Sequence, residues 1–388
     1  MNIRWSFDLP TSGSSVDYDY ESPIFISDNE VLFAFGYERS TVLYVVDTVT
    51  GMGKELSLSS SVGVLSKCFF FIPSSEGTVV YTGDLYQYRN GTIWNSCALL
   101  QYGKVISHLI VDDDLYVLCL KGQRTTLLCV EMKSLEIRWK HEVTSGSYFP
   151  GPLFLFENCI TCYGCGELLF IEPKSGNVLH SIQIPRVDKL FSPIRIDDEY
   201  IAIGFTNWSN AGVLVYSTVS GKVKWKAGKR FEGPLLRCLI YNKEDYLYWI
   251  KNDRELICLD AKDGTERFCI PTLPWLYTEL CLVGERIIYG TSGADGFLNC
   301  IRFDTGEKLW SLPLKNGCTY YGRYKDTVIV GDYSKTVFQI DVESGAILQQ
   351  FCTTGKIVGS IAVCEDSFYT VVWGNEHKPI SLVKIAFD

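Results

Sequence analysis

Short apolar strands separated by compact polar turns recur along this chain, and the recurrence is periodic. One recurring unit is an apolar strand, a tight turn rich in Asp, Ser and Gly, and a second strand with an aromatic residue four positions after the turn's Gly. The clearest copies are Leu256-Ile-Cys-Leu-Asp260-Ala-Lys-Asp-Gly264 leading to Phe268, and Asn299-Cys-Ile-Arg302-Phe-Asp-Thr-Gly306 leading to Trp310. Val213 to Gly221 with Trp225, and Phe338 to Gly345, repeat the pattern. Weaker copies centre on Asp47/Gly51, Asn90/Gly91 with Trp94, Glu131/Leu135 with Trp139, and Glu172/Gly176, at intervals of about 39 to 45 residues. The turn chemistry explains the composition: an Asp or Ser side chain accepts backbone N–H bonds inside the turn, and Gly supplies the positive φ that closes it.

A second series runs out of phase with the first. It consists of short acidic turns between apolar strands: Ser27-Asp28-Asn29-Glu30, Ser74-Ser75-Glu76-Gly77, Asp112-Asp113-Asp114, Glu157-Asn158, Asp197-Asp198-Glu199, Asn242-Lys243-Glu244-Asp245, Gly284-Glu285, Lys325-Asp326 and Glu365-Asp366. Each period therefore supplies four antiparallel strands, which is one propeller blade. The expectation is an all-β closed β-propeller of nine four-stranded units forming a single domain over 1–388, or eight if the weakest unit, Val64 to Trp94, is not a blade. The last segment, Ile380-Ser-Leu-Val-Lys-Ile385, lacks a fourth strand, and Asn2-Ile-Arg-Trp5-Ser-Phe fits that place. The N-terminal strand is thus predicted to complete the C-terminal blade and remove two open sheet edges.

The run Leu-x-Leu-Asp-x-x-x-Gly with its trailing aromatic, at Leu256 to Phe268 and less perfectly at Asn299 to Trp310, resembles the repeat of the pyrroloquinoline-quinone-like propellers. The resemblance implies architecture more than chemistry, since that family includes quinone-dependent dehydrogenases, outer-membrane assembly scaffolds, sensors and proteins that only bind proteins. Its dehydrogenases carry a vicinal cysteine pair beside the quinone; this chain has no adjacent Cys-Cys, so the resemblance implies a non-catalytic member with no cofactor.

Composition narrows the partner. Hydrophobic residues make up 47% against 21% charged, enough for a large core. Lys and Arg total 36 and Asp and Glu 45, a net charge of -9, with no contiguous basic block of the kind that tracks phosphates. A protein partner, in its specific form a basic one, is expected, and neither nucleic acid nor membrane. Met1 to Asp8 shows no signal-peptide core, and 15 scattered cysteines suit a reducing compartment, so a cytoplasmic location is expected.

Candidate chemistry is sparse. Cys159-Ile-Thr-Cys162-Tyr-Gly-Cys165 has metal-like spacing without a fourth ligand, and reads as packed structural thiols. His108, His141, His180 and His377 fall in different units. Asp112-Asp113-Asp114 occupies a turn that is acidic in most units and reads as a solvated hairpin, with no metal expected.

Strand order puts the acidic turns and Gly turns at one end of the blades and the remaining loops at the other. On that loop face fall Tyr18, Tyr20, Tyr148, Phe149, Trp208, Arg230, Phe231, Trp275, Tyr277, Tyr320, Tyr321 and Trp373, residue types enriched at binding hot spots. The longest connections are expected at Thr11–Glu21, Phe205–Ala211, Thr291–Phe297 and Trp373–Pro379. The expected function is a non-enzymatic scaffold gripping a macromolecule through this face, an immunity protein against a basic toxin being one form. A small-ligand sensor or a quinone- or metal-dependent enzyme using the central channel is the alternative.

Overall fold

The computed structural model describes residues 2–8, 24–27, 29–37, 40–56, 70–74, 77–144, 153–164, 166–184, 189–190, 194–207, 210–230, 240–243, 245–251, 254–272, 280–332, 334–357, 361–364, 366–373 and 380–387. The chain is all-β apart from a single 3₁₀ turn, Leu100–Tyr102, among the described residues. It is a nine-blade β-propeller of four-stranded blades, here called blades 1 to 9 in chain order with strands A to D in each. The segment from Phe70 to Cys97, the weakest copy in the sequence, is a full blade.

The strands gather into two compact units: Met1–Phe71, Asn90–Thr92 and Leu273–Asp388 in one, Ile72–Arg89 and Ile93–Thr272 in the other. In the first, strand Asn2–Asp8 is the outer strand of blade 9, antiparallel to Ile380–Ala386, with Phe7 opposite Leu382 and Trp5 opposite Lys384. Period-two alternation then assigns side chains to two interfaces. Tyr369 and Val371 of strand Ser367–Trp373 pack with Val31, Phe33, Tyr44 and Val46 of blade 1, whereas Phe368 and Val372 pack with Ile329 and Val337 of blade 8. The inner strand Thr327–Asp332 is consequently buried on both faces, whereas the outer strand Ile347–Cys352 alternates between half-buried and exposed positions.

Blades 7 and 8 depart from the expected loop-connected pattern. Strand Lys308–Tyr324 is the D strand of blade 7 and continues directly as the A strand of blade 8, giving one seven-stranded sheet. The connection expected at Thr291–Phe297 is likewise strand, with Ser292 opposite Gly317 and Asp295 opposite Lys315. Glycine makes this possible: a Cβ on Gly296 would lie 2.3 Å from the Gly317 Cα. The connection expected at Phe205–Ala211 also shrinks, because strands Tyr200–Asn207 and Asn210–Ser217 pair along their whole length.

In the second unit the blades lock through one repeated contact. The Trp225 indole N–H donates to the Ala261 carbonyl (3.1 Å) of the next blade, and its ring lies on Gly264, where a Cβ would sit 2.5 Å from the ring. Trp139 repeats this on Pro173 and Gly176, and in the other unit Trp310 repeats it on Val342 and Gly345. Blade 2 does otherwise, correcting the expectation that Trp94 fills this role. The residue four positions after Gly91 is Asn95, whose amide donates to Ser134 O (2.6 Å), while Gln87 donates to Met132 O (2.6 Å). Trp94, one position out of phase on a strand, points the other way and is 51% exposed.

Candidate functional site

The turn end of the blades is built from two linked turns. Among the described residues, in seven blades the first residue after strand C donates its N–H to the acidic A–B turn: Thr48 to Asn29 O, Met132 to Asp113 O, Thr218 to Glu199 O, Ala261 to Asp245 O, Phe303 to Glu285 O, Val342 to Asp326 O and Phe387 to Asp366 O, all at 2.8–3.0 Å. In six C–D turns among the described residues a Gly N–H returns to the carbonyl at the turn's start, as Gly264 does to Asp260 O (2.8 Å) and Gly345 to Asp341 O (2.9 Å), and in blade 3 the Leu135 N–H does the same to Glu131 O (2.8 Å). The positive φ of 76° at Gly264 and 72° at Gly345 is what this closure needs.

The turn carboxylates are committed to the same geometry. Asp47 accepts the N–H groups of Val49 and Thr50 and the Thr50 hydroxyl. Asp260 accepts the Lys262 N–H and pairs with Arg267 (2.5 Å), and Asp341 accepts the Ser344 N–H and hydroxyl. These bonds hold all three carboxyls below their ordinary range. In the Asp112–Asp114 turn, Arg138 joins Asp114 (2.8 Å) and Glu131 (2.5 Å). Burial raises the Asp114 carboxyl despite that partner, while the Ser134 hydroxyl lowers Glu131.

Two open recesses lie at this end, each inside one unit. One of about 700 Å³ is lined by Ser27, Asn29, Glu30, Asp47, Met52 and Lys54, and one of about 460 Å³ by Ile72, Pro73, Ile110, Asp113, Glu131 and Arg138. Asp47 in the first and Glu131 in the second are already committed to the turn bonds just described, so each recess offers shape and charge around an engaged carboxylate.

The cysteines point the same way. Cys159 and Cys162 are three apart on strand Cys159–Gly164, so they face opposite sides of the sheet: Cys159 packs with blade 5 residues and Cys162 with blade 3 residues. A strand cannot turn that spacing into a chelate, and Cys165 lies outside the described residues. Burial pushes the thiols of Cys119, Cys162, Cys258 and Cys300 up to about 12, away from the thiolate form a nucleophile requires. Among the described residues no group of three His, Cys, Asp or Glu could hold a metal ion. His180 stacks on Phe170 with centroids 4.2 Å apart, and burial lowers the His108 imidazole. His377 lies outside the described residues.

Of the loop-face residues named from the sequence, Tyr18, Tyr20, Tyr148, Phe149, Trp208, Phe231, Trp275 and Tyr277 lie outside the described residues. Arg230 ends strand Val223–Arg230, its backbone opposite Asn210. Tyr320 and Tyr321 sit within the continuous strand Lys308–Tyr324 and not in a loop, Tyr321 opposite Val330. Trp373 ends its strand partly buried and packs on the cluster of Phe33, Tyr44 and Tyr369.

Sequence reasoning missed the outer strand of blade 5. Residues 222–230 carry Lys222, Lys224, Lys226, Lys229 and Arg230 with no acid, and the two strands behind, Tyr200–Asn207 and Asn210–Ser217, carry no charge. The basic residues alternate with Val, Trp and Ala, so they do not form a run; only the strand's place at a sheet edge gathers them.

Comparison with known proteins agrees with this architecture. Residues 209–376 match the family model described as outer membrane protein assembly factor BamB. Among solved structures, BamB from Moraxella catarrhalis is 18% identical with a TM-score of 0.55, covering 82% of this chain and 96% of its own. The computationally designed Ika8 protein is 12% identical with a TM-score of 0.56 over 94% of this chain and 97% of its own. Quinohemoprotein alcohol dehydrogenase from Comamonas testosteroni is 10% identical with a TM-score of 0.56, over 99% of this chain and 76% of its own. At these identities the likeness is one of fold. No curated protein sequence matches the chain.

Proposed function

We propose that this PQQ-type propeller is a non-enzymatic scaffold that binds another protein through the loop face of its blades. The observation carrying this reading is how its titratable groups are used. Turn acids such as Asp47, Asp260 and Asp341 are lowered by hydrogen bonds that hold the turns, and the buried thiols are raised by desolvation. Both directions are opposite to those of a general acid or a nucleophile poised near neutrality. Side chains so engaged make a rigid frame, and recognition on such a frame resides in its connecting loops. The match of residues 209–376 to an assembly factor supports the same reading. The net charge of -9 favours a basic partner met in the cytoplasm, of which a toxin neutralised by this chain is the most specific form.

The likeness of fold to a quinohemoprotein dehydrogenase supports the second reading, a ligand-binding or quinone-dependent protein. Affinity capture from the cell's own lysate at low salt separates the two. The scaffold reading expects a protein retained at one-to-one stoichiometry and lost from a Trp275→Ala/Tyr277→Ala variant. A quinone-like absorbance or a metal near unit occupancy in the purified protein, with no such partner, would overturn it.

A further inference from the structure

We infer that the outer edge of blade 5 is a docking site for an extended acidic peptide, which adds to the sheet as a fifth strand beside Val223–Arg230. That strand ends its sheet, so one side of its backbone presents N–H and C=O groups with no strand against them among the described residues. Lys222, Lys224 and Lys226 are exposed, and among the described residues they form no ion pair. Lys224 Nζ lies 3.7 Å from the centre of the Tyr200 ring and Lys226 Nζ 4.9 Å from that of Phe205. Tyr200 packs with the cluster on one face of the sheet and Phe205 with the cluster on the other. The two ammonium groups therefore lie on opposite faces of blade 5, folded back over a strand two places in from the open edge, and each flexible side chain reaches that edge by swinging outward.

An added strand alternates its side chains between those two faces, so carboxylates at successive positions would meet a lysine on either side. Lysines on an edge repel neutral and basic strands, and the same charges select an acidic one. The chain's overall negative charge does not oppose this at physiological salt, where screening over about 8 Å leaves the local lysines to dominate. Eight residues of edge match a peptide of about eight residues, roughly 27 Å long when extended. This site shares no residue with the loop contacts proposed above except Arg230, so either can fail alone.

The test uses the full chain and a fluorescein-labelled eight-residue peptide, Thr-Thr-Glu-Glu-Glu-Glu-Thr-Thr, whose adjacent carboxylates fall on both faces of an added strand, followed by anisotropy at low and physiological salt. Saturable binding is expected, weakened about tenfold in Lys224→Gln/Lys226→Gln, restored in Lys224→Arg/Lys226→Arg, and lost when alternate peptide nitrogens are methylated. Hydrogen exchange in residues 223–230 should slow on binding. Unchanged affinity of the Gln variant or of the methylated peptide overturns the proposal. So does tighter binding of an eight-nucleotide single-stranded DNA or of anionic vesicles, which would assign the basic edge to phosphate.

Discussion

Replacing Gly264 with Ala tests whether the indole contacts hold neighbouring blades together. The new methyl would lie 2.5 Å from the Trp225 ring at a residue whose φ is +76°. The left-handed backbone alone costs a residue with a Cβ about 1–2 kcal/mol. Displacing the ring forfeits the indole N–H bond to Ala261 O, worth about 1 kcal/mol, and ring packing worth about another. The sum is about 3–4 kcal/mol. Gly122 provides the control, because its φ of +63° is similar but its Cβ would meet nothing within 4 Å, so Gly122→Ala should cost only about 1–2 kcal/mol. Urea unfolding of both variants, repeated in a Trp225→Ala background, isolates the contact. There Gly264→Ala should fall to the cost of Gly122→Ala. Equal costs for the two glycine variants in the native background, or no coupling to Trp225, would refute the reasoning.

Other expectations follow from the same geometry. Trp94→Ser should change stability by under about 0.5 kcal/mol, because the side chain is half exposed, whereas Gln87→Leu should cost about 1–3 kcal/mol by stranding the Met132 and Lys133 carbonyls; chemical denaturation distinguishes them. Brief iodoacetamide treatment at neutral pH, read by peptide mass spectrometry, should modify exposed Cys269 and Cys352 well before Cys119, Cys162, Cys258 and Cys300. Asp260 has its folded pKa lowered, first by the Lys262 N–H; its contribution is therefore full above the unfolded carboxyl pKa of about 4 and lost as pH falls through the folded value. Acid titration of stability should show this loss in the native chain and a shallower one in Asp260→Asn. Deleting residues 1–8 should lower the melting temperature, and a peptide of residues 2–8 added in trans should restore part of it, since that strand covers Leu382 and Val383.

Much of the fold was legible because a blade repeats its punctuation. Acidic A–B turns and Gly-closed C–D turns are local chemistry, so they stand in the sequence at the spacing the structure shows, and the incomplete last blade announced its N-terminal strand. What was not legible depended on register and on neighbours. Trp94 draws attention as an aromatic, but a one-residue offset sends it outward and gives its place to Asn95. The merging of blades 7 and 8 needs Gly296 and Gly317 to approach each other, which neither glycine reveals alone. The basic edge of blade 5 is spread over alternate positions, and its significance lies in the strand pairing that makes it the outer edge beside two uncharged strands. The candidate loop face was legible only as residue type, and of its named members Trp373 turned out to pack against the core.

Native mass spectrometry of the protein recovered from its own cell at low ionic strength bears most directly on the scaffold reading. It should show the 43.9 kDa chain joined to one protein partner and carrying no additional small mass. A lone chain bearing the mass of a quinone or a metal ion would contradict it.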